Sequence, residues 1–209
     1  MNEDEVLGVL QKVGAFRAGH FVLVSGRHSD SYINKDALYT YTHELSRLCK
    51  AMAERFKDDK IDAVIGPAVG AALLSQWVAY HLTEMNGREV YATYADKDGQ
   101  GGFVVKRGYD QVIKGKNILI VEDLVTTGGS VKKVVDVARA IGATVAGAIV
   151  VCNRGGVTKE MVGDVPRLEW LVTLHIDSES AEECELCAIN IPVNTDVGHG
   201  KEFLAKKNG

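Results

Sequence analysis

Apolar positions repeat every three to four residues in three stretches of the chain, and each repeat predicts a helix. From Thr42, a plausible cap, Leu45, Leu48, Cys49, Met52 and Phe56 fall on one face. A second helix is predicted from about Gly70 to Asn86, closed by Gly87. The third places Val131, Val134, Val135, Ala138 and Ile141 opposite Lys132, Lys133, Asp136 and Arg139, and ends at Gly142. Between the helices lie short apolar runs, Ile61–Ile65, Asn117–Val121 and Thr144–Val151, with Glu89–Ala95 alternating like a strand. Gly66-Pro67 is expected to break the first run. Such alternation predicts right-handed βαβ units, hence an α/β fold with an open, mostly parallel sheet of about five strands flanked by helices. A polar, glycine-rich loop is expected from Asp96 to Gly115.

Ligands of such sheets sit beyond the carboxyl ends of the strands. Three strand ends carry chemistry: Gly66-Pro67-Ala68, Glu122 to Ser130, and Asn153-Arg154-Gly155-Gly156. The middle one has two adjacent carboxylates, Glu122 and Asp123, then Leu124-Val125-Thr126-Thr127-Gly128-Gly129-Ser130 running into a helix. Its glycines permit a tight turn, the helix start contributes partial positive charge, and Thr126, Thr127 and Ser130 add hydroxyl donors. That combination suits a monoester phosphate. The spacing is not that of a nucleoside-triphosphate P-loop. Two acids beside a phosphate cradle imply a ligand that also brings hydroxyls or a cation, which a ribose 5-phosphate does. A strand-turn-helix with solvated acids is the plainer reading of the same pattern.

Composition narrows the classes. The 209 residues, 46% hydrophobic and 25% charged, describe a globular chain of one domain. No apolar run approaches the roughly 20 residues of a membrane span. Met1 to Glu5 is acidic where a signal peptide is basic, so a cytoplasmic location is expected. A net charge of −4 offers no overall attraction to nucleic acid or anionic lipid, and neither is expected as a partner. One segment departs from this: Lys97 to Lys116 holds five cations and two anions, net +3, with Gly99, Gly101, Gly102 and Gly108. A basic, glycine-rich loop near a phosphate site suggests a lid over a polyanion; a solvated charged hairpin has the same composition.

Cys49 and Cys152 fall in apolar patterns and read as buried thiols. Cys184 and Cys187 form one C-x-x-C with no second pair, half of a zinc site at best. Histidines 20, 28, 43, 81, 175 and 199 show no metal spacing, so no metal ligand is expected from protein side chains. Asn194 to Lys201 is turn-rich and suggests no function.

The run Ile118-Leu119-Ile120-Val121-Glu122-Asp123-Leu124-Val125-Thr126-Thr127-Gly128-Gly129-Ser130 resembles the phosphoribosyl-diphosphate fingerprint of type I phosphoribosyltransferases. Gly19 to Tyr32, containing Phe21-Val22-Leu23-Val24-Ser25-Gly26-Arg27-His28-Ser29, resembles the N-terminal segment of the orotate phosphoribosyltransferases. Tyr94-Ala95-Asp96-Lys97-Asp98 with Lys106-Arg107-Gly108-Tyr109 is similar to a catalytic loop of one branch of that family. The resemblance covers roughly residues 10 to 160. It departs at Val24, where many members carry lysine, and at Val69-Gly70, where many carry tyrosine-lysine.

The resemblance implies a single phosphoribosyltransferase domain. A core of about residues 41–160 is capped by a small hood from about 1–40 and part of 160–209. It implies transfer of the phosphoribosyl group from phosphoribosyl diphosphate to orotate in pyrimidine nucleotide synthesis. Glu122 and Asp123 would hold the ribose hydroxyls, Leu124 to Ser130 the 5′-phosphate, and Lys97, Lys106 and Arg107 the diphosphate. Thr126, Arg154 and Tyr32 would meet orotate. Mg²⁺ bound mainly through the substrate, and a homodimer sharing the loop across its interface, complete the picture. A purine or xanthine phosphoribosyltransferase, or a nucleotide-sensing regulator on the same fold, remains open at this point.

Overall fold

In the computed structural model, which describes residues 1–207, six strands form one sheet in the order β5-β4-β3-β6-β7-β8. These are β3 (Ala63–Pro67), β4 (Tyr91–Lys97), β5 (Phe103–Val104), β6 (Asn117–Val125), β7 (Thr144–Asn153) and β8 (Leu168–Thr173). All neighbours run parallel except the two-residue β5, which is antiparallel to β4. An antiparallel hairpin, β1 (Phe16–Val22) and β2 (His28–Ile33), stands apart from the sheet.

Strands buried on both faces are apolar at every position, which is why these runs lack alternation. In β6, Leu119 and Val121 join one core with α1 (Glu3–Lys12), α2 (Thr42–Phe56) and α3 (Gly70–Asn86). Ile118 and Ile120 join the opposite core with α5 (Gly129–Ile141) and Ile113 of the short α4 (Tyr109–Ile113). The predicted helical faces are buried as expected; in α5, Ile141 packs only partly. Gly87 and Gly142 close α3 and α5 with left-handed φ of 63° and 92°.

Four details of the sequence reading change. Thr42 is the first helical residue of α2, not its cap: Tyr41 precedes it and no side chain caps that end. Gly66-Pro67 does not end β3, because parallel pairing to β4 carries through Pro67↔Ala95. The strand read as ending at Val121 runs on to Val125, held by Leu124↔Cys152 and Val125↔Asn153. The glycine-rich segment is partly ordered: β5 folds back on β4 around a turn in which Asp98 Oδ1 accepts the amides of Gln100 and Gly102, at 2.7 and 2.9 Å.

The hood pairs the two ends of the chain. In β2, the His28 and Glu179 backbones exchange hydrogen bonds of 2.8 and 2.9 Å. Along β1, His20 O and Val22 O accept the amides of Asn194 and His199. The turn-rich tail is what makes this fit. Asn194 Oδ1 accepts from Asp196 and Val197, and a Cβ on Gly198 would stand 2.7 Å from Val22 O. Of residues 1–40, α1 packs into the sheet's core through Val6, Val9 and Leu10, while the hairpin joins the C-terminal segment, which includes α6 (Glu185–Ala188) and α7 (Gly200–Lys207). Among the described residues, no helix is long and apolar enough to cross a membrane.

Candidate active site

The parallel strands end together, so Pro67, Lys97, Val125, Asn153 and Thr173 mark one carboxyl edge. Here β6 turns into α5. Gly128 takes φ 77°, and a Cβ there would sit 2.8 Å from Val162. Only glycine serves this turn, and it opens the first amides of α5 toward solvent. Thr126, Thr127 and Ser130 are exposed, and Leu124 to Val131 line a cleft of about 210 Å³. The cleft has hydroxyls, helix amides and no acid in its lining, as an anion needs.

Behind this turn, Glu122 and Asp123 are buried, 7% and 4% exposed. Asp123 is fully engaged: Lys35 Nζ donates to both its oxygens at 3.1 and 3.0 Å, and the Tyr39 hydroxyl donates to Oδ2. Sequence reasoning missed both partners. They lie on a 3-10 turn, Lys35–Thr40, 84 and 88 residues away in sequence. Tyr39 reaches Asp123 because Gly70 has no side chain; a Cβ there would be 2.1 Å from the hydroxyl. The departure from the family pattern at Val69-Gly70 thus leaves room for the Tyr39 ring.

Burial, then the Asp123 charge, raises the Glu122 pKa to about 8. Lys35 is pulled down by burial, yet ends raised because Asp123 and Glu122 stabilise its charge. Tyr39 is pushed far up by burial and the same carboxylates, so its hydroxyl stays a donor. The sign of the Glu122 effect on stability follows. The folded chain keeps a proton that the unfolded chain, near 4.5, gives up. This contribution is whole below the unfolded value and is lost as pH rises through the folded one. The ligand-free chain is therefore expected to lose Tm between about pH 5 and about pH 8.5, and Glu122→Gln to lose less over the same range. Identical slopes in the two proteins would contradict a buried, protonated Glu122.

Arg154 is half-buried directly beside the turn from Thr126 to Ser130. Its amide donates to Val125 O at 2.8 Å, and Gly155 lies so close that a Cβ would meet Thr126 O at 2.1 Å. The Asn153 side chain braces this loop with two bonds to the Val157 backbone, 2.9 and 3.0 Å. Arg154 and Thr126, both expected at the base, are thus brought together.

Lys97 ends β4, and Lys106 and Arg107 follow β5; all three are exposed. Arg107, at φ 63°, approaches Asp96 at 3.9 Å, and Lys133 Nζ of α5 holds Gly101 O at 2.5 Å. Tyr32 lies in the hood, its ring stacked on Phe21 at 5.4 Å. A second convergence was not expected: His20, His28, Cys184 and Cys187 meet within the hood. Only the C-x-x-C was visible in the sequence, because a hairpin sets the histidine spacing.

Comparison with known proteins points the same way. The phosphoribosyl transferase domain family matches residues 34–172. An orotate phosphoribosyltransferase of Thermoanaerobacter sp. (strain X514) is 36% identical over 92% of this chain and 96% of its own. That of Thermus thermophilus is 35% identical over 90% and 98%. The crystal structure of the Aeropyrum pernix orotate phosphoribosyltransferase superposes with a TM-score of 0.64 at 30% identity, covering 81% of this chain and 93% of the other.

Proposed function

We propose how this chain, which belongs to the orotate phosphoribosyltransferases, divides its reaction among its residues. It transfers the phosphoribosyl group of phosphoribosyl diphosphate to orotate, giving orotidine 5′-phosphate and diphosphate. The observation that carries the division of labour is the buried Glu122–Asp123 pair at the end of β6, immediately before an acid-free anion cleft. One ligand with a 5′-phosphate and vicinal hydroxyls satisfies both halves.

In this reading the amides and hydroxyls of Leu124 to Ser130 hold the 5′-phosphate, and Glu122 and Asp123 accept from the ribose hydroxyls. Asp123 faces a cavity of only about 20 Å³, shared with Lys35, Leu38 and Val151. That is room for a water, not a sugar, so the ribose hydroxyls must exchange with the bonds from Lys35 and Tyr39. Lys97, Lys106 and Arg107 neutralise the departing diphosphate. Positive charge develops at C1′ as that bond breaks, and the chain's part is positioning and electrostatic stabilisation.

The acids form no cage for Mg²⁺: both Asp123 oxygens already accept from Lys35 or Tyr39, and Glu122 Oε1 accepts the Asp123 amide at 3.1 Å. They would suit a magnesium ion carried in by the substrate, which would offset charge on the diphosphate while Glu122 and Asp123 stay on the ribose hydroxyls. A homodimer acting in the cytoplasm, with the cationic hairpin serving the neighbouring subunit, completes the proposal. The exposed Leu73, Tyr80 and Tyr91 supply an apolar surface for it.

Arg154 tests base recognition. Its planar guanidinium can donate two parallel bonds to the orotate carboxylate. Arg154→Ala is expected to raise KM for orotate about tenfold or more, and to leave KM for phosphoribosyl diphosphate within a few-fold. An unchanged orotate KM would remove Arg154 from the base site.

A further inference from the structure

We propose that His20, His28, Cys184 and Cys187 form a structural Zn²⁺ site that fastens the hood hairpin to the C-terminal segment. The four donor atoms lie within 4.8 Å of one another. His20 Nε2 stands 3.5 Å from Cys184 Sγ and 3.8 Å from Cys187 Sγ, and His28 Nδ1 stands 3.4 Å from Cys187 Sγ. Tetrahedral zinc, with Zn–S of about 2.3 Å and Zn–N of about 2.0–2.1 Å, requires N···S edges of about 3.6 Å. These three edges bracket that value. The two nitrogens, 2.7 Å apart, must separate by about 0.6 Å to reach a tetrahedral edge.

Three further observations fit a metal. His20 Nδ1 lies 2.7 Å from Ile191 O, and donating to that carbonyl leaves Nε2 as a lone pair facing the other donors. Histidine ligands are commonly fixed this way. His20, His28 and Cys184 are 2%, 1% and 4% exposed and Cys187 is half-buried, so three of the four donors are shielded from solvent. A cleft of about 230 Å³ reaches it past Asp30, Asp177, Glu179 and Glu185, an acidic approach for a cation.

The donors also select the metal. Two thiolates and two imidazoles are soft to borderline ligands that favour zinc over magnesium or calcium. Four protein ligands leave no position for substrate, which makes the site structural. The C-x-x-C turn, closed by the Ala188 amide on Cys184 O at 3.1 Å, presents both sulfurs from one end of α6. The histidines come from the facing strands β1 and β2. As Zn²⁺ enters, each thiol gives up its proton to solvent and becomes a thiolate, so two protons leave per ion.

The test is metal content. The full-length chain, expressed with added zinc and gel-filtered without chelator, is expected to carry about one zinc per chain. Reduced, metal-free protein should bind Co²⁺ with the intense visible bands of tetrahedral cobalt and a thiolate charge-transfer band in the near ultraviolet. Stripping the metal should lower Tm by about 5–10 °C, restored by Zn²⁺. The double variant Cys184→Ser/Cys187→Ser should lose bound zinc at least tenfold. If that variant does not fold, the cobalt spectrum of the parent chain decides alone. Under about 0.1 zinc per chain, with no thiolate band after reduction and cobalt addition, would overturn the proposal. So would undiminished zinc in the double variant.

Discussion

Asp123→Asn is expected to cut kcat/KM by roughly 10- to 100-fold while the fold survives. A charge-assisted hydrogen bond contributes about 1.5–3 kcal/mol, and the amide cannot offer two anionic acceptors to the ribose. Stability should fall much less. Lys35 is about half exposed, so its pair with Asp123 is screened, and the loss should stay within about 1 kcal/mol. The Tyr39 hydroxyl keeps an acceptor in the asparagine carbonyl. Steady-state kinetics with phosphoribosyl diphosphate and orotate, beside a thermal melt, separates the two effects. Parent-like kinetics would show that the ribose is held elsewhere.

Removing Lys97 and Arg107 together, both to alanine, should lower kcat about 100-fold and leave the affinity for orotidine 5′-phosphate within a few-fold. The asymmetry comes from the reaction itself. Negative charge accumulates on the diphosphate as its bond to C1′ breaks, and only interactions that strengthen in that transition raise the rate. Neither side chain is needed for folding: both are exposed, and the Arg107–Asp96 approach of 3.9 Å is a loose surface pair. Single-turnover rates beside nucleotide titration give the comparison. An equal loss in both would mean that the two cations bind the nucleotide throughout the reaction.

The parts of this site written in neighbouring residues were legible from sequence. Strand β6, its two acids, the Thr-Thr-Gly-Gly-Ser turn and α5 are one continuous run, and each step has a local signature. The charges of Glu122 and Asp123 hide the last four residues of the strand from a sequence reading, and pairing with β7 overrides that signal. Lys35 and Tyr39 left no pattern. They sit on a single 3-10 turn, too short for periodicity, and meet Asp123 only through tertiary packing. The donor cluster in the hood was half legible: Cys184 and Cys187 share a turn, whereas His20 and His28 become neighbours only when β1 and β2 pair. The β5 hairpin was hidden because two residues carry too little β-propensity to compete with four nearby glycines.

The closure of both hairpin edges by residues 179–199 bears on how the chain is made. Strands β3 to β8 all end by Thr173 in sequence, ahead of every residue that closes the hairpin edges. The hairpin emerges first, yet Glu179, Asn194 and His199, which pair with His28, His20 and Val22, emerge more than 150 residues later. During that interval β1 and β2 present open edges, the surfaces on which strands of different chains associate. Ser29, Asp30 and Ser31 at the middle of β2 keep its sequence polar through that interval. The strands of the main sheet thus all precede in sequence the residues that seal the hairpin, which stays open-edged until those residues fold back on it.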